Sequence, residues 1–546
     1  MTKSEQDQRG YRDLHDHLDA LRAAGLLVEV DRPIDKDSQL HPLVRWQFVG
    51  GIDEPQRKAF LFTNIVDGLG RKYDMPVVVG AIAANREIYS IGMQAPVDQI
   101  QAKWDHAIAN PIAPRVVTEA PCHEVIHEGR DLIGEGKGLD MLPIPVSTPG
   151  FDSAPTLTAT NVVTRDPVTG VQNMGTYRAA LKASDRLVVR MATRVGGAGG
   201  YQHYREHQKR GDKEMPCAIV LGCPPYVAFM GPQKLPVGVD EVAVAGGLAG
   251  APISIVKART VDLMVPAEAE IVIEGYIDTE YVEPEAPFGE SHGHVALEEF
   301  NMPMRVTAIT HRRRPVIPSY ISQVAPSESS VIKRVAYEPL FLSHLRDGLG
   351  IKGVKRVSLH EPLTGLLRVT VITVDRNIAS TEIWRALYGA AFFKGDCGKI
   401  CIAVNDDIDP DNADALLWAL AYRSNPVKDV RTLESRGQGH GPKREHTGEE
   451  DSTLLMDATM KSDMPPLALP KKPYMEDAKR IWEEMGLPQL RPQSPWFGYS
   501  LGDWLPQWDQ AAARAASGHY LENGRISAQQ QRKGLVPETK FRPDEP

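Results

Sequence analysis

Between about residues 120 and 320 the apolar runs are short, rich in β-branched side chains and cut apart by glycine and proline, whereas on either side apolar strands alternate with runs at helical spacing. A chain whose period changes twice cannot be one repeating unit. The middle reads as a barrel or sandwich, the flanks as α/β domains, and 546 residues exceed what a single core organises efficiently. The expected division is an N-terminal α/β domain at 1–118, a β-rich domain at 119–322, a C-terminal α/β domain at 323–485 and a tail at 486–546.

Composition narrows the function. A formal charge of −9 argues against nucleic-acid binding, which needs a clustered basic footprint. The strongest basic run, His311-Arg-Arg-Arg314, precedes Pro315 and is expected at a strand end. The first ten residues carry no apolar segment of a secretory signal, and no apolar run approaches the roughly 20 residues that span a bilayer, so a cytoplasmic location without a membrane span is expected. The five cysteines have no Cys-x-x-Cys spacing and read as reduced, buried thiols.

Local patterns place the elements. Leu14, Leu18 and Leu21 recur at helical spacing before Gly25, and Leu26–Val30, Ala59–Phe62 and Met75–Val79 read as strands. Residues 157–164 and 171–178 flank Arg165-Asp-Pro-Val-Thr-Gly170 as a β-hairpin, and 186–193 continues that sheet. Helices are expected near 201–211, 239–248, 376–389, 410–423 and 474–485. Strands are expected at 367–373 and 400–404. Ser435 to Asp451 reads as a mobile loop, and the Trp-bearing tail (Trp496, Trp504, Trp508) as a docking arm.

Glu285-Ala-Pro-Phe-Gly-Glu290 holds two carboxylates around a stiff, partly apolar turn, which keeps an acid out of water as general acid catalysis requires. Asn173-Met-Gly-Thr-Tyr-Arg178 supplies a guanidinium and a metal-binding amide. A bulge at Gly175 would bring Asn173 and Arg178 toward one cavity. Taken alone, Arg178 reads better as a structural ion-pair member and Asn173 as a turn residue. His203-Tyr-Arg-Glu-His207 sets two imidazoles at i and i+4, a metal-ligand spacing on a helix and equally a solvated helix face. Glu241 falls in the first turn of a small-residue helix, where the dipole favours it and where it can also ligate a hard cation.

In order, Asn-x-Gly-x-Tyr-Arg at 173–178, Gln202-His203, Gly-Val-Asp-Glu at 238–241 and Glu-x-Pro-Phe-Gly-Glu at 285–290 resemble the UbiD family of decarboxylases, which use prenylated flavin mononucleotide (FMN). The similarity runs from about 20 to about 485. It implies that residues 120–320 form a split β-barrel binding the flavin, and that the C-terminal α/β domain mediates homodimer or homohexamer assembly. It also implies that Asn173, His203 and Glu241 hold a divalent ion, manganese first and iron second, with potassium nearby. Thr176, Tyr177, Arg178, Gln202 and Lys399 would touch the cofactor. Arg178 would lie between Glu285 and Glu290. The chain departs from the family in its Gly-rich stretch at 195–200, in the 435–451 loop and in the tail. It also has Glu290 where the octaprenyl-hydroxybenzoate branch has Asp.

The activity implied by the resemblance is reversible, non-oxidative decarboxylation of an aromatic or α,β-unsaturated acid, with a flavin prenyltransferase supplying the cofactor. Arg178 would orient the carboxylate and Glu290 would deliver the proton, poised by Glu285 and Arg178. An acyl-CoA thioester such as phthaloyl-CoA is a further expected substrate, because Arg436 to Arg444 could offer basic groups to a nucleotide phosphate. The rivals are a zinc hydrolase on His203 and His207 with Glu206 as base, and a non-catalytic flavin-binding protein.

Overall fold

The computed structural model describes residues 10–536 apart from 192–197, 234, 236–238, 286, 292, 298, 361–366, 395–396, 438–449, 462–463, 503 and 532–535. Gly238, half of the Gly-rich stretch and most of the 435–451 loop therefore lie outside the described residues.

Helix α1 (Leu14–Ala23) starts at Asp13, whose carboxylate accepts the Asp16 N–H, and stops before Gly25 at a φ of 69°. Its leucines 14, 18 and 21 are buried against a mixed sheet. There β1 (Leu27–Val30) runs parallel to β2 (Ala59–Phe62), and β2 antiparallel to β3 (Val77–Val79). The strand Ile317–Ser319 returns from far along the chain to lie parallel to β3. Helix α2 (Ile100–Ala109) follows.

The middle of the chain builds a ten-stranded sheet. Its strands are β4 (Val125–Glu128), β5 (Thr156–Leu157), β6 (Thr160–Arg165), β7 (Gln172–Gly175), β8 (Ala179–Ala183), β9 (Arg186–Val189), β10 (Glu214–Leu221), β11 (Ile271–Asp278), β12 (Glu283–Pro284) and β15 (Phe300–His311). A separate two-stranded ribbon, β13 (Phe288–Gly289) with β14 (Val295–Ala296), sits between β12 and β15 in sequence. The order is β7-β6-β10-β11-β15-β9-β8-β5, with β4 and β12 also paired to β15. Every pairing in this sheet is antiparallel.

Register explains why the sheet is stable. Val162, Ile219, Ile273 and Ile309 lie directly opposite one another on four successive strands, all fully buried in one core. Their neighbours Val163, Ala218, Val220 and Val272 point the other way into a second core. Burial on both faces is worth about 1.5–3 kcal/mol for each large aliphatic side chain. His311 is the last residue of β15, so the basic run does sit at a strand end.

Two helices lie along this part of the chain, α3 (Gly199–Arg210) and α4 (Glu241–Ala249). Asp240 caps α4 by accepting the Val242 and Ala243 N–H groups at 2.9 and 3.2 Å. Small residues let α4 lie close to α2: a Cβ at Gly247 would stand 2.9 Å from the Ala107 backbone.

A third core, with Phe341, Val357, Ile372, Leu387 and Leu455, belongs to the C-terminal α/β segment. Its elements are α5 (Glu328–Ser343), β16 (Val354–Leu359), β17 (Val369–Val374), α6 (Ser380–Ala391), β18 (Ile400–Asn405), α7 (Ala413–Arg423), β19 (Val430–Gly437) and β20 (Glu450–Asp457). The sheet order is β16-β17-β18-β20-β19. Ser435 to Gly437 are thus strand rather than loop.

By contacts the chain divides into two compact units. One comprises Met1–Val374, Ile378–Ala403 and Val430–Met456, and the other Asp375–Asn377, Val404–Asp429 and Asp457–Pro546. In the second, α8 (Lys472–Glu484) is followed by α9 (Pro506–Ala516) and α10 (Tyr520–Gln529). The last two are joined by Arg514 to Asn523 at 2.7 Å, and Trp504 packs edge-on against Trp508. All five cysteines are buried and none is in a disulfide among the described residues, where no helix is long and apolar enough to cross a membrane.

Candidate active site

Strand β7 stops at Gly175, two residues short of Tyr177, which corrects the expectation of one strand to residue 178. The cause is local. Gly175 has no side chain in the space taken by the folded-back Tyr177 ring, so that a Cβ there would collide with the Tyr177 hydroxyl. The Thr160 hydroxyl donates to the Tyr177 carbonyl at 2.7 Å and lies 3.2 Å from the Tyr177 N–H as its acceptor. This link between β7 and β8 re-aims Arg178 away from the strand's alternation.

Arg178 meets both carboxylates. Its Nε donates to Glu285 Oε1 at 2.6 Å and its Nη2 to Glu285 Oε2 at 3.0 Å, a two-pronged pair. Its Nη1 donates to Glu290 Oε1. The guanidinium also lies 4.6 Å from the centre of the Phe288 ring. Burial works against the charge on Arg178, but Glu290 and Glu285 together outweigh it and its pKa stands above the ordinary value.

The turn that carries the glutamates is held at several points. The Glu285 N–H donates to the Glu299 carbonyl at 2.8 Å where β12 pairs with β15, and Asn301 Nδ2 donates to Glu285 Oε2 at 3.1 Å. The Glu290 N–H donates to the His294 carbonyl, and the Gly293 N–H back to the Glu290 carbonyl, both at 3.0 Å. Gly293 makes that reversal with a φ of 88°. The Gly289 N–H donates to Asp152 at 3.0 Å, and a Cβ at Gly289 would strike the Thr148 hydroxyl. Glu285 and Glu290 are 2% and 7% exposed, so the turn does keep both carboxylates out of water.

Arg190, at the end of β9, is the residue that motif reading missed. Its Nη1 donates to Glu290 Oε1 at 3.3 Å, and its Nε and Nη2 stand 4.0 and 3.7 Å from Glu285 and Glu299. The pairing Ala179↔Val189 sets Arg190 beside Arg178, whose carbonyl accepts the Arg190 N–H at 3.0 Å. Hairpin register was the available signal.

A second group gathers around the β6–β7 hairpin. Asn173 on β7 and Glu241 at the start of α4 both line a cavity of about 380 Å³, with Arg165, Met174 and Asp240. His203, on α3, bonds through Nδ1 to Thr164 at 2.9 Å, and Thr164 is the cross-strand neighbour of Asn173. Burial lowers the His203 pKa, which keeps a lone pair for a metal. Burial raises that of Glu241 to about 7, against the Met174 N–H, which favours its charged form. Gln202 precedes His203 in the first turn of α3. Thr176 Oγ1 is buried with no hydrogen-bond partner among the described residues.

Other expected groups have protein partners of their own. Lys399 pairs with Asp451 in the C-terminal segment. Arg436 is 8% exposed, stacks 4.4 Å from the centre of the Phe392 ring and donates to the Ala391 carbonyl, so it is not a group held out to a phosphate. Lys443 and Arg444 lie outside the described residues. Of the zinc-hydrolase residues, the expected base Glu206 turns out to Lys209 at 2.5 Å, while His207 bonds through Nδ1 to Asp212 at 2.9 Å and its buried Nε2 has no hydrogen-bond partner among the described residues.

Comparison with known proteins gives the family of the chain. Residues 115–324 match the model of the 3-octaprenyl-4-hydroxybenzoate carboxy-lyase Rift-related domain, and 331–458 that of the carboxy-lyase C-terminal domain. Among solved structures, the UbiD-class enzyme HmfF from Pelotomaculum thermopropionicum in complex with FMN is 28% identical. It covers 83% of this chain and 95% of its own, with a TM-score of 0.73. An evolved dimeric form of that enzyme in complex with prenylated FMN is also 28% identical over 84% of this chain and 97% of its own, with a TM-score of 0.72. The 3,4-dihydroxybenzoic acid decarboxylase from Enterobacter cloacae shares the fold at 20% identity, covering 86% of this chain and 99% of its own with a TM-score of 0.72. The rival reading as a hydrolase is thereby set aside: the chain belongs to the UbiD family and is a UbiD-like carboxy-lyase.

Proposed function

We propose that the protein removes carbon dioxide from an aromatic carboxylic acid without net oxidation, with prenylated FMN as cofactor. The observation that carries this reading is the buried Glu285–Arg178–Glu290 cluster on Phe288. The residues fit the cofactor. A buried Thr176 hydroxyl lacks a partner among the described residues, and a neutral-leaning His203, the Asn173 amide and a buried Glu241 collect around one hairpin as a hard-cation donor set would. Asn173, His203 and Glu241 would hold a divalent ion, manganese or iron, with potassium as a further cation, and Thr176, Tyr177 and Gln202 would contact the flavin. The large antiparallel sheet is the split barrel that houses it, and the C-terminal α/β segment mediates homo-oligomer formation.

The bound cofactor supplies the electron sink for the bond to the departing carboxylate. Arg178 orients that carboxylate, and its planar fork is suited to a two-pronged contact. Glu290, carried on a hairpin that excludes water, delivers a proton to the carbon that carbon dioxide has left. Glu285, fixed by Asn301, keeps Arg178 in place when the substrate arrives. Since Arg436 is buried, a free acid is the preferred substrate over a coenzyme A thioester.

Reconstitution with prenylated FMN and a panel of acids, including 3,4-dihydroxybenzoate, vanillate and phthaloyl-CoA, tests the reading by carbon dioxide release. Release from at least one free aromatic acid is expected. Cofactor retention with no release from any acid or thioester would overturn it.

A further inference from the structure

Resting on that reading, we infer that Arg190 is a positioning residue for the proton donor: it holds the Glu290 carboxylate in place when Arg178 turns to the substrate. The two glutamates are not held alike by Arg178. Glu285 takes two bonds from Arg178 and a third from Asn301, all at 2.6–3.1 Å. Glu290 takes one bond from Arg178, through Nη1, shares the same Oε1 with Arg190 Nη1, and accepts the Ser291 N–H on Oε2 at 3.3 Å. A substrate carboxylate that claims part of the Arg178 fork displaces the partner that Arg178 holds by a single bond, which is Glu290. Arg190 then remains on Glu290 Oε1, anchored in turn by Glu299 and by its own N–H on the Arg178 carbonyl.

Two guanidiniums, one before β8 and one just after β9, therefore divide the work. Arg178 can move between Glu290 and substrate, while Arg190 keeps the acid at the end of its hairpin. The charged and titratable groups around Glu290 come from several elements: Arg178 from the β7–β8 link and Arg190 from the end of β9. Glu285 follows β12, Glu299 precedes β15, and Asp152, on the Gly289 N–H, lies before β5. His294 adds its carbonyl from the same hairpin. A cation beside an acid favours its ionised form, so removing Arg190 lets Glu290 stay protonated to higher pH.

The test uses Arg190→Gln and Arg190→Lys in the full chain reconstituted with prenylated FMN. With whichever of 3,4-dihydroxybenzoate or vanillate is turned over, Arg190→Gln is expected to lower kcat at least about tenfold and to move the alkaline limb of its pH profile up by about one unit, with KM within about twofold. Arg190→Lys returns the limb to its original place. A merely structural role lowers the active fraction and leaves the limb where it was, and an unmoved limb in Arg190→Gln overturns the proposal. A substrate-free readout separates this from failure of the decarboxylase reading. The infrared carboxyl band that disappears in Glu290→Gln should titrate about one unit higher in Arg190→Gln. If no acid is turned over yet the band moves, the Arg190–Glu290 relationship stands and the decarboxylase reading falls. If the band titrates unchanged, Arg190 does not act on Glu290.

Discussion

Arg178 grips Glu285 through two parallel bonds, Nε to Oε1 at 2.6 Å and Nη2 to Oε2 at 3.0 Å, across more than a hundred residues of chain. A lysine cannot copy that fork. Arg178→Lys is expected to lower kcat at least about 100-fold while retaining flavin, read by turnover and flavin absorbance on the same sample. Loss of less than about tenfold would show that charge alone suffices.

Gly289 stands where Thr148 leaves no room for a side chain. Gly289→Ala should destabilise the protein by about 1–3 kcal/mol and displace Glu290, lowering activity further than stability explains. Urea unfolding and turnover check this. The double variant with Thr148→Ala should regain at least half the lost activity, and no regain would place the strain elsewhere.

Glu241 joins two strands' worth of polar groups at the β6–β7 hairpin. Glu241→Gln keeps the shape and removes the charge, so divalent-ion retention after dialysis should fall at least about tenfold, and flavin retention with it. Elemental analysis beside flavin absorbance reads both. Unchanged metal content would remove Glu241 from the ion site.

His17 and His41 are fully buried, bonded through Nε2 to the Ala81 carbonyl at 2.7 Å and to the Ser319 hydroxyl at 2.9 Å, and burial lowers each pKa to about 4. The unfolded chain binds these protons near pH 6.5, so the stabilisation is full above that and is lost as pH falls toward 4. Each contributes a slope of up to about 1.4 kcal/mol per pH unit in that window. Unfolding midpoints between pH 7.5 and 5 should fall steeply, and His41→Gln should flatten that fall. An unchanged slope would mean that His41 charges without unfolding.

Local chemistry made part of this legible. The β6–β7 hairpin follows from Asp166 to Gly170, where the Gly170 N–H closes on the Asp166 carbonyl at a φ of 75°. Glu285 and Glu290 announce themselves by a turn too stiff and apolar for ordinary surface carboxylates. The hidden part depends on register. Arg190 looks like a solvated strand residue until Ala179 is set opposite Val189, and Asn301 gains meaning only because it faces Glu283 across β12 and β15. The β7 strand end at Gly175 was hidden for a related reason: the alternation continues in the sequence, but the Tyr177 ring needs the space over the glycine. Arg436 misleads in the opposite sense, since a basic residue beside a Gly-rich run reads as exposed, yet its guanidinium is buried against Phe392. Helix α5 carries Pro339 inside it, and its start is set by the Ser327–Ser330 capping box rather than by an apolar period.

The most direct measurement compares wild type and Glu290→Gln, each loaded with prenylated FMN, for flavin content and carbon dioxide release from the same aromatic acid. The account predicts equal flavin content and release at least about 100-fold slower in the variant. Release at a near wild-type rate from Glu290→Gln would contradict it, because the proton would then come from another group.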